Sequence, residues 1–394
     1  MAGYKHWIWL CGMPIGTGKR FALLRHFQTP EDVYYAAEDD LLQVEGMGLA
    51  EAKLLQNKDL SEADRILGVC AAKNISLLTI QDAVYPNRLK NIYDPPLLLY
   101  MQGSLPEVDE GVTVSVVGTR RATPYGEWAA EKIAYGLASG GATVVSGLAR
   151  GIDTAATRGA LRAGGRPIAV LGCGVDVVYP TENRFLYEDV AAHGALISEY
   201  PPGTEPRAEH FPVRNRIIAG LSLGTLVVEA PQGKSGALIT AQSALEQGRD
   251  VFAVPGPIGS ETSGGCHALI REGAILVTDA VDILREYEAM YPVVLPKDKE
   301  PDPLGATEEK RRPASAEPAM PTVDLTKERE RFTDDQLALL SLLSETESRH
   351  TDDIIEESGL SARRVLSALT RLVLEDCVAE DSGKRFRRTV HIKE

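Results

Sequence analysis

Short, nearly unbroken runs of Val, Ile, Leu and Ala recur through the middle of the chain: VTVSVV, ATVVS, PIAVLG, ALISE, GTLVVEA, DVFAVPG and AILVT. Stretches with helical spacing lie between them, among them 125–138 and 153–163. Strands that are apolar on both faces are covered on both faces, and alternation with helices is how a parallel sheet is built. Residues 81–291 therefore read as a doubly wound, mostly parallel α/β domain of Rossmann-like type.

The flanks follow other periods. Residues 1–80 are helical with short polar breaks, and two segments, LCGMPIGTGKR and VEGMGLAEAKLL, place paired glycines just before a helical run. This is a helix-hairpin-helix (SAM-like) pattern, in which Gly46 and Gly48 allow a tight turn and offer N–H groups to a phosphate. A glycine turn that only packs two helices fits the same residues. The first segment lacks the leading Gly of a P-loop, where Met13 stands, and Arg20 follows Lys19, so an ATPase is excluded. Residues 292–330 are rich in Pro, Ala and charge without apolar period and read as a flexible linker. Residues 331–394 give three helices and a β-wing, with Gly359 ending the second helix and Ser361 capping the third, the pattern of a winged helix-turn-helix.

An apolar fraction of 44% and a charged fraction of 25% suit a soluble globular protein. No apolar stretch reaches bilayer length and the N-terminus lacks a signal-peptide pattern, so the expected location is cytoplasmic, without membrane contact. The five cysteines and seven histidines are scattered, supporting neither a metal site nor a cofactor. A net charge of −14 argues against a polyanionic partner on average. Residues 111–260, however, hold thirteen Lys/Arg against thirteen Asp/Glu, and eleven of the thirteen bases are Arg, whose planar fork suits phosphate.

Ligands of α/β sheets bind beyond the carboxyl ends of the strands, which directs attention to four loops. Gly118, Thr119, Arg120 and Arg121 follow VTVSVV and lead into a helix, an anion seat that lacks the G-x-G-x-x-G of a dinucleotide site. Ser146 and Gly147 open a second loop facing the same crevice, with Asp153 expected to cap the helix after it. The third holds Arg207, Phe211, Arg214, Asn215 and Arg216, a stacking ring among phosphate-binding groups that suits an unpaired strand. Arginines paired with Glu199 and Glu229 are the alternative, above all for Arg216. Lys234, Ser235 and Gly236 open a helix and form a further anion seat.

Taken in order, VVGTRRATPYG, VVSGLARGIDTAA, AVLGCGVDVVYPTENRFL, SEYPPGTEP, HFPVRNRIIAGLS, VVEAPQGKSGALITA and GRDVFAVPG resemble the signature series of the DNA-processing protein A (DprA/Smf) family, over almost everything except the linker. The resemblance implies a homodimeric DNA-binding protein without enzymatic activity. Such a protein covers incoming single-stranded DNA and helps load the RecA recombinase in natural transformation. It implicates Gly118, Thr119, Arg120, Phe211 and Arg214 in strand binding, and is the main warrant for a dimer interface at Cys266, His267, Leu269 and Ile270. Thr181 departs from relatives that are basic there, and Thr157 from relatives with His. Two rivals remain. A nucleotide N-glycoside hydrolase of the lysine-decarboxylase-like fold would carry P-G-G-x-G-T-x-x-E where this chain reads PQGKSGALIT, placing Thr240 at the catalytic glutamate. A DNA-binding regulator would use the C-terminal helix with Arg363, Arg364 and Arg371.

Overall fold

The computed structural model describes residues 2–233, 235–294, 322–324, 332–344, 348–375, 377–381 and 385–393. It divides into two compact units, Met1–Leu304 and Gly305–Glu394. The expected boundary at residue 80 does not separate two bodies: the N-terminal helices and the sheet share one hydrophobic core, which runs from Trp7 and Leu23 through Leu99 to Val170 and Ile217.

Six helices come first: α1 (Ala2–Gly12), α2 (Thr17–Phe27), α3 (Pro30–Tyr35), α4 (Glu38–Leu41), α5 (Leu49–Leu55) and α6 (Ser61–Ala72). Thr29 caps α3, accepting from the Asp32 N–H with Pro30 in the first turn. At the start of α5, Gly46 takes a positive φ of 74°. The Glu51 carboxylate accepts the Gly48 N–H at 3.2 Å and also holds Lys19, so an acid of the chain itself occupies this helix N-terminus.

The sheet comprises β1 (Ser76–Thr79), β2 (Leu98–Gly103), β3 (Thr113–Val117), β4 (Thr143–Ser146), β5 (Ile168–Leu171), β6 (Ala195–Ser198), β7 (Gly224–Val227), β8 (Asp250–Ala253) and β9 (Ile275–Leu276). Their order is β1-β2-β6-β5-β4-β3-β7-β8-β9. All seven runs read from the sequence form strands, parallel from β6 across to β9. Two more were not read: β1 pairs antiparallel with β2, and β2 antiparallel with β6. Their segments, ISLLTI and PPLLLYMQG, lie within and beside the helical stretch, where periodicity cannot separate a short buried strand from a helix turn.

Intervening helices are α7 (Asn87–Lys90), α8 (Pro124–Ser139), α9 (Ile152–Arg162), α10 (Arg184–His193), α11 (His210–Gly220), α12 (Gly236–Glu246), α13 (Gly264–Arg271) and α14 (Ala280–Tyr287). One face of the sheet, with Val114, Val116, Val144, Leu226 and Phe252, packs on α8, α9 and α14. The opposite face joins the core shared with α11, α12 and the N-terminal helices. Polar groups inside are paired, as between the Ser115 and Thr225 hydroxyls, 2.7 Å apart on β3 and β7. No described helix is long and apolar enough to cross a membrane.

The second unit contains α15 (Asp334–Leu342), α16 (Thr351–Ser358) and α17 (Ala362–Leu374), with a three-stranded sheet of Arg349–His350, Arg385–Arg388 and Val378–Asp381. This is the helix order and wing expected. Gly359 ends α16 in the left-handed region at φ 65°, whereas Ser361 precedes α17 without a side-chain cap bond. Arg364 is held by Asp335 of α15, its Nε 2.9 Å from the carboxylate.

Backbone approach between α8 and α9 is set at Gly159, where an added Cβ would stand 2.3 Å from the Glu131 carbonyl oxygen. Gly159→Ala is expected to cost about 1–3 kcal/mol through overpacking. Gly68→Ala, in α6 with open space around the new methyl, is expected to gain about 0.4–1 kcal/mol from lost unfolded-state entropy. Urea unfolding of the two variants measures both shifts, and equal shifts would contradict the packing described.

Candidate nucleic-acid interface

The chain runs β3, β4, β5, β6 to one side of the sheet and β7, β8, β9 to the other, so direction reverses between β3 and β7. At such a switch point the loops after adjacent strands diverge and leave a crevice. Here it is a cleft of about 540 Å³. Gly118, Thr119 and Arg120 enter it from β3, Ala149 and Asp153 from β4, and Tyr179 from the segment after β5. Phe211, Arg214 and Asn215 come from α11, with Pro231, Ser235, Gly236 and Thr240 after β7.

Close backbone packing fixes these loops. A Cβ on Gly118 would fall 2.3 Å from Ile152, the first residue of α9, and one on Gly151 would fall 2.5 Å from the Thr119 carbonyl oxygen. Gly151 also takes a φ of +70°. The Thr119 N–H donates to the Glu229 carbonyl at 2.8 Å, joining the β3 loop to the β7 loop. The buried Glu229 carboxylate accepts from the Thr123 N–H and hydroxyl at 2.9 and 2.6 Å and from the Thr262 hydroxyl at 3.0 Å. It therefore ties α8 and not an arginine.

The floor is charged and buried. Arg214 is 5% exposed; its Nη1 donates to the Gly147 carbonyl at 3.0 Å and to the Val170 carbonyl, and its Nε to Asn215 Oδ1 at 3.2 Å. An added Cβ at Gly147 would stand 2.5 Å from the guanidinium. Asp153 is equally enclosed, its carboxylate accepting the Gly147 N–H at 3.1 Å and the Ala149 N–H at 3.4 Å. Burial pushes its carboxyl above the ordinary aspartate range, opposed by the Arg214 charge and the two N–H groups. Burial likewise pulls the Arg214 guanidinium below its ordinary range, opposed by Asp153. Asp153 thus secures the loop before its helix; the N-cap position itself is Gly151.

Above this floor sits a cation on a ring. The guanidinium carbon of Arg120 lies 4.9 Å from the Phe211 ring centroid, and Tyr179 packs on the same ring at 5.6 Å and 32°. Gly172 makes room for that ring, since a Cβ there would approach it to 2.9 Å. His210 stacks on Tyr200 at 4.0 Å and fixes the first turn of α11. Arg120 is exposed and has no ion-pair partner among the described residues.

Several sequence expectations are relocated. Arg214 is a floor group whose donors are taken up by carbonyls, because α11 drives it beneath the loops. Arg216, one residue pair further along α11, faces away from the cleft, where Glu199 accepts two bonds of 2.8 Å and Asp94 lies 3.3 Å off. It lines a separate cavity of about 620 Å³ among the N-terminal helices. Ser146 is buried and donates to the Val116 carbonyl at 2.9 Å, within the sheet. Arg121 and Arg207 are exposed outside the cleft lining, and Lys234 lies outside the described residues. Tyr179 was missed; its only sequence signal was an aromatic beside Pro180 after an apolar strand. Cys266 is fully buried, its thiol directed at the Val227 and Val228 carbonyls, and Leu269 is nearly so, because α13 turns both into the core. His267, whose Nε2 lies 2.9 Å from the Gly256 carbonyl oxygen, and Ile270 remain partly exposed. Among the described residues no group of three or more His, Cys, Asp or Glu is placed to hold a metal ion.

Comparison with known proteins accounts for both units. Residues 76–288 match the family model described as DNA recombination-mediator protein A, and residues 311–384 match the DprA winged helix domain. A Protein Smf from Synechocystis is 36% identical over 98% of this chain and 100% of its own length. The chain belongs to the DprA/Smf family. Within that family, the DNA processing protein DprA of Streptococcus pneumoniae is 49% identical over 53% of this chain and 73% of its own. An X-ray structure of the S. pneumoniae protein superposes with a TM-score of 0.64 at 37% identity, covering 72% of this chain and 97% of that one. A DprA from Helicobacter pylori, solved for its single-stranded DNA binding mode, gives 0.50 at 30% identity over 55% and 97%.

Removing Arg214 strands the buried Asp153 carboxylate, so Arg214→Met is expected to lower stability by about 3 kcal/mol. Arg120→Ala, exposed, is expected to stay within about 0.5 kcal/mol of the parent. Chemical denaturation separates the two; a neutral Arg214→Met would mean that the guanidinium does not hold the floor.

Proposed function

We propose that this chain is a single-stranded DNA-binding protein that protects incoming DNA and promotes RecA loading in natural transformation and recombination. The observation that carries the reading is the unpaired Arg120 stacked on Phe211 at the mouth of the switch-point cleft. An unpaired strand exposes base faces and a phosphate chain together, and a guanidinium beside an aromatic ring meets both. The Gly236 end of α12 adds helix N–H groups on the opposite wall. The family membership and the strand-binding relative support the same reading.

The cleft acts by binding and not by catalysis. Asp153 is the one carboxylate lining it among the described residues, and it is held beneath the surface by two N–H groups. With the motif's register set on Gly236, Thr240 stands where a hydrolase would carry glutamate, and it spends its hydroxyl on the Gly236 carbonyl at 3.2 Å. The pair of acids that ordinarily supports an oxocarbenium-like transition state is missing from the described lining. The winged-helix regulator reading gains nothing from Arg364, which Asp335 neutralises.

The homodimer belongs to the same proposal, moved outward from the buried Cys266 and Leu269. β9 ends the sheet, Leu245 and Leu276 are 52% and 48% exposed, and Ile270 lies partly exposed on neighbouring α13. An apolar, open sheet edge calls for a cover, and a second copy supplies one with two-fold symmetry. Leu276→Asp is expected to give monomers in sedimentation equilibrium where the parent gives dimers; a dimeric variant would place the contact elsewhere.

Salt titration tests the strand site. If Arg120 neutralises one phosphate, Arg120→Ala is expected to reduce the slope of log affinity against log salt by about 0.7 on oligo(dT). Phe211→Ala is expected to cost roughly 1–3 kcal/mol of affinity with the slope nearly unchanged. In RecA filament assembly on strand precoated with a single-strand-binding protein, the parent accelerates nucleation and Arg120→Ala does not. An unchanged slope in a folded Arg120→Ala variant would remove the cleft from the strand path.

A further inference from the structure

Helix α8 turns Gly126, Ala129, Ala130, Ile133, Ala134 and Leu137 inward. Its outer side presents two aromatic rings to solvent: Tyr125 and Trp128 are 41% and 40% exposed. Their centroids lie 6.1 Å apart at 37°, and Lys132 Nζ sits 5.1 Å over the Trp128 ring. The Tyr125 hydroxyl donates to the Pro255 carbonyl at 2.9 Å, which fixes the first ring in place. Of the two carboxylates on this helix, Glu131 is neutralised by Arg162, leaving Glu127 against Arg121 and Lys132. Arg121 is exposed and without an ion-pair partner among the described residues. It lies next to Arg120 in the chain and four residues before Tyr125.

A single exposed ring requires no explanation. Two rings three residues apart, flanked by bases and continuous in the chain with the cleft loop, form a stacking surface with phosphate partners at both ends. We propose that the outer face of α8 is a second segment of the strand path. DNA leaving the Arg120–Phe211 cleft passes Arg121, stacks bases on Tyr125 and Trp128, and meets Lys132 with a phosphate. From Tyr125 to Lys132 the helix rises about 10 Å, room for roughly two nucleotides. This rests on the strand-binding reading of the cleft, and its occupant is the continuation of the same strand.

The distribution of tryptophan makes the proposal directly readable. Of the three tryptophans, Trp7 and Trp9 are 6% and 3% exposed, so Trp128 alone can stack on an added base. Oligo(dT) of about twenty nucleotides is expected to quench the protein's intrinsic fluorescence, with the quench lost in Trp128→Phe while binding, followed by anisotropy of a labelled strand, persists. A Trp128→Ala, Lys132→Gln double variant is expected to bind the long strand roughly tenfold or more weakly. It should bind a strand of about six nucleotides, enough for the cleft alone, as the parent does. Absence of quenching while anisotropy reports binding overturns the proposal. So does an equal loss on both lengths, or a quench that follows protein concentration without DNA, which would mark a contact between copies. Failure of the cleft itself is distinguishable, since Arg120→Ala would then leave the short strand unaffected while the Trp128 signal is judged on its own.

Discussion

The cleft depends on one buried guanidinium. Arg214 reaches from α11 beneath the sheet's carboxyl edge and binds carbonyls of the β4 loop and of β5, with Asp153 supplying the opposing charge from α9. Three elements distant in sequence are thereby held by one buried side chain. Unpaired donors there would each cost about 1–3 kcal/mol. Glycine does the rest: Gly118, Gly147, Gly151 and Gly172 let loops, guanidinium and ring approach to distances that any Cβ would forbid. The rigid floor leaves Arg120 as the free cation of the cleft among the described residues, exposed above it with its ring, which is how a charged site can be preorganised without being self-neutralised.

Sequence alone carried the fold far because β3 to β9 are apolar on both faces and bounded by glycine and helix, a pattern with few competing interpretations. It failed at β1 and β2, short strands adjoining a helical region, and at residue 80, since contacts between the N-terminal helices and β2 are long-range and leave no local mark. At the site, position in the loop was legible and depth was not. Arg120, Arg214 and Arg216 look alike as letters. The turn of α11 separates the last two, sending Arg214 under the cleft and Arg216 to Glu199 and Asp94. The alternative of ion pairing was correct for Arg216 and incorrect for Glu229, whose partners are threonines. Cys266 and Leu269 misled for a related reason: GGCHALIREGA has small and apolar residues on both sides of its helix, and only packing shows which side is inside.

The net charge of −14 also takes on a spatial meaning. Among the N-terminal helices Glu51 is engaged by Gly48 and Lys19, so the glycine turn before α5 holds its own anion and does not compete for phosphate. An acidic protein can thus confine its affinity for a polyanion to one face, and repulsion elsewhere restricts where a strand can lie.

The clamp of Arg216 between Glu199 and Asp94 has a bearing on how such a protein can change over generations. Because each residue of a helix turns by about 100°, fixing Arg216 fixes the rotational phase of α11 and with it the heading of Phe211 more than one turn earlier. Glu199 and Asp94 do not line the cleft, yet a substitution at either weakens one of the contacts that, with the buried Arg214, set the phase of the helix that builds it. The N-terminal cavity and the cleft therefore share one helix, and a change beside Arg216 bears on what the cleft end of α11 tolerates.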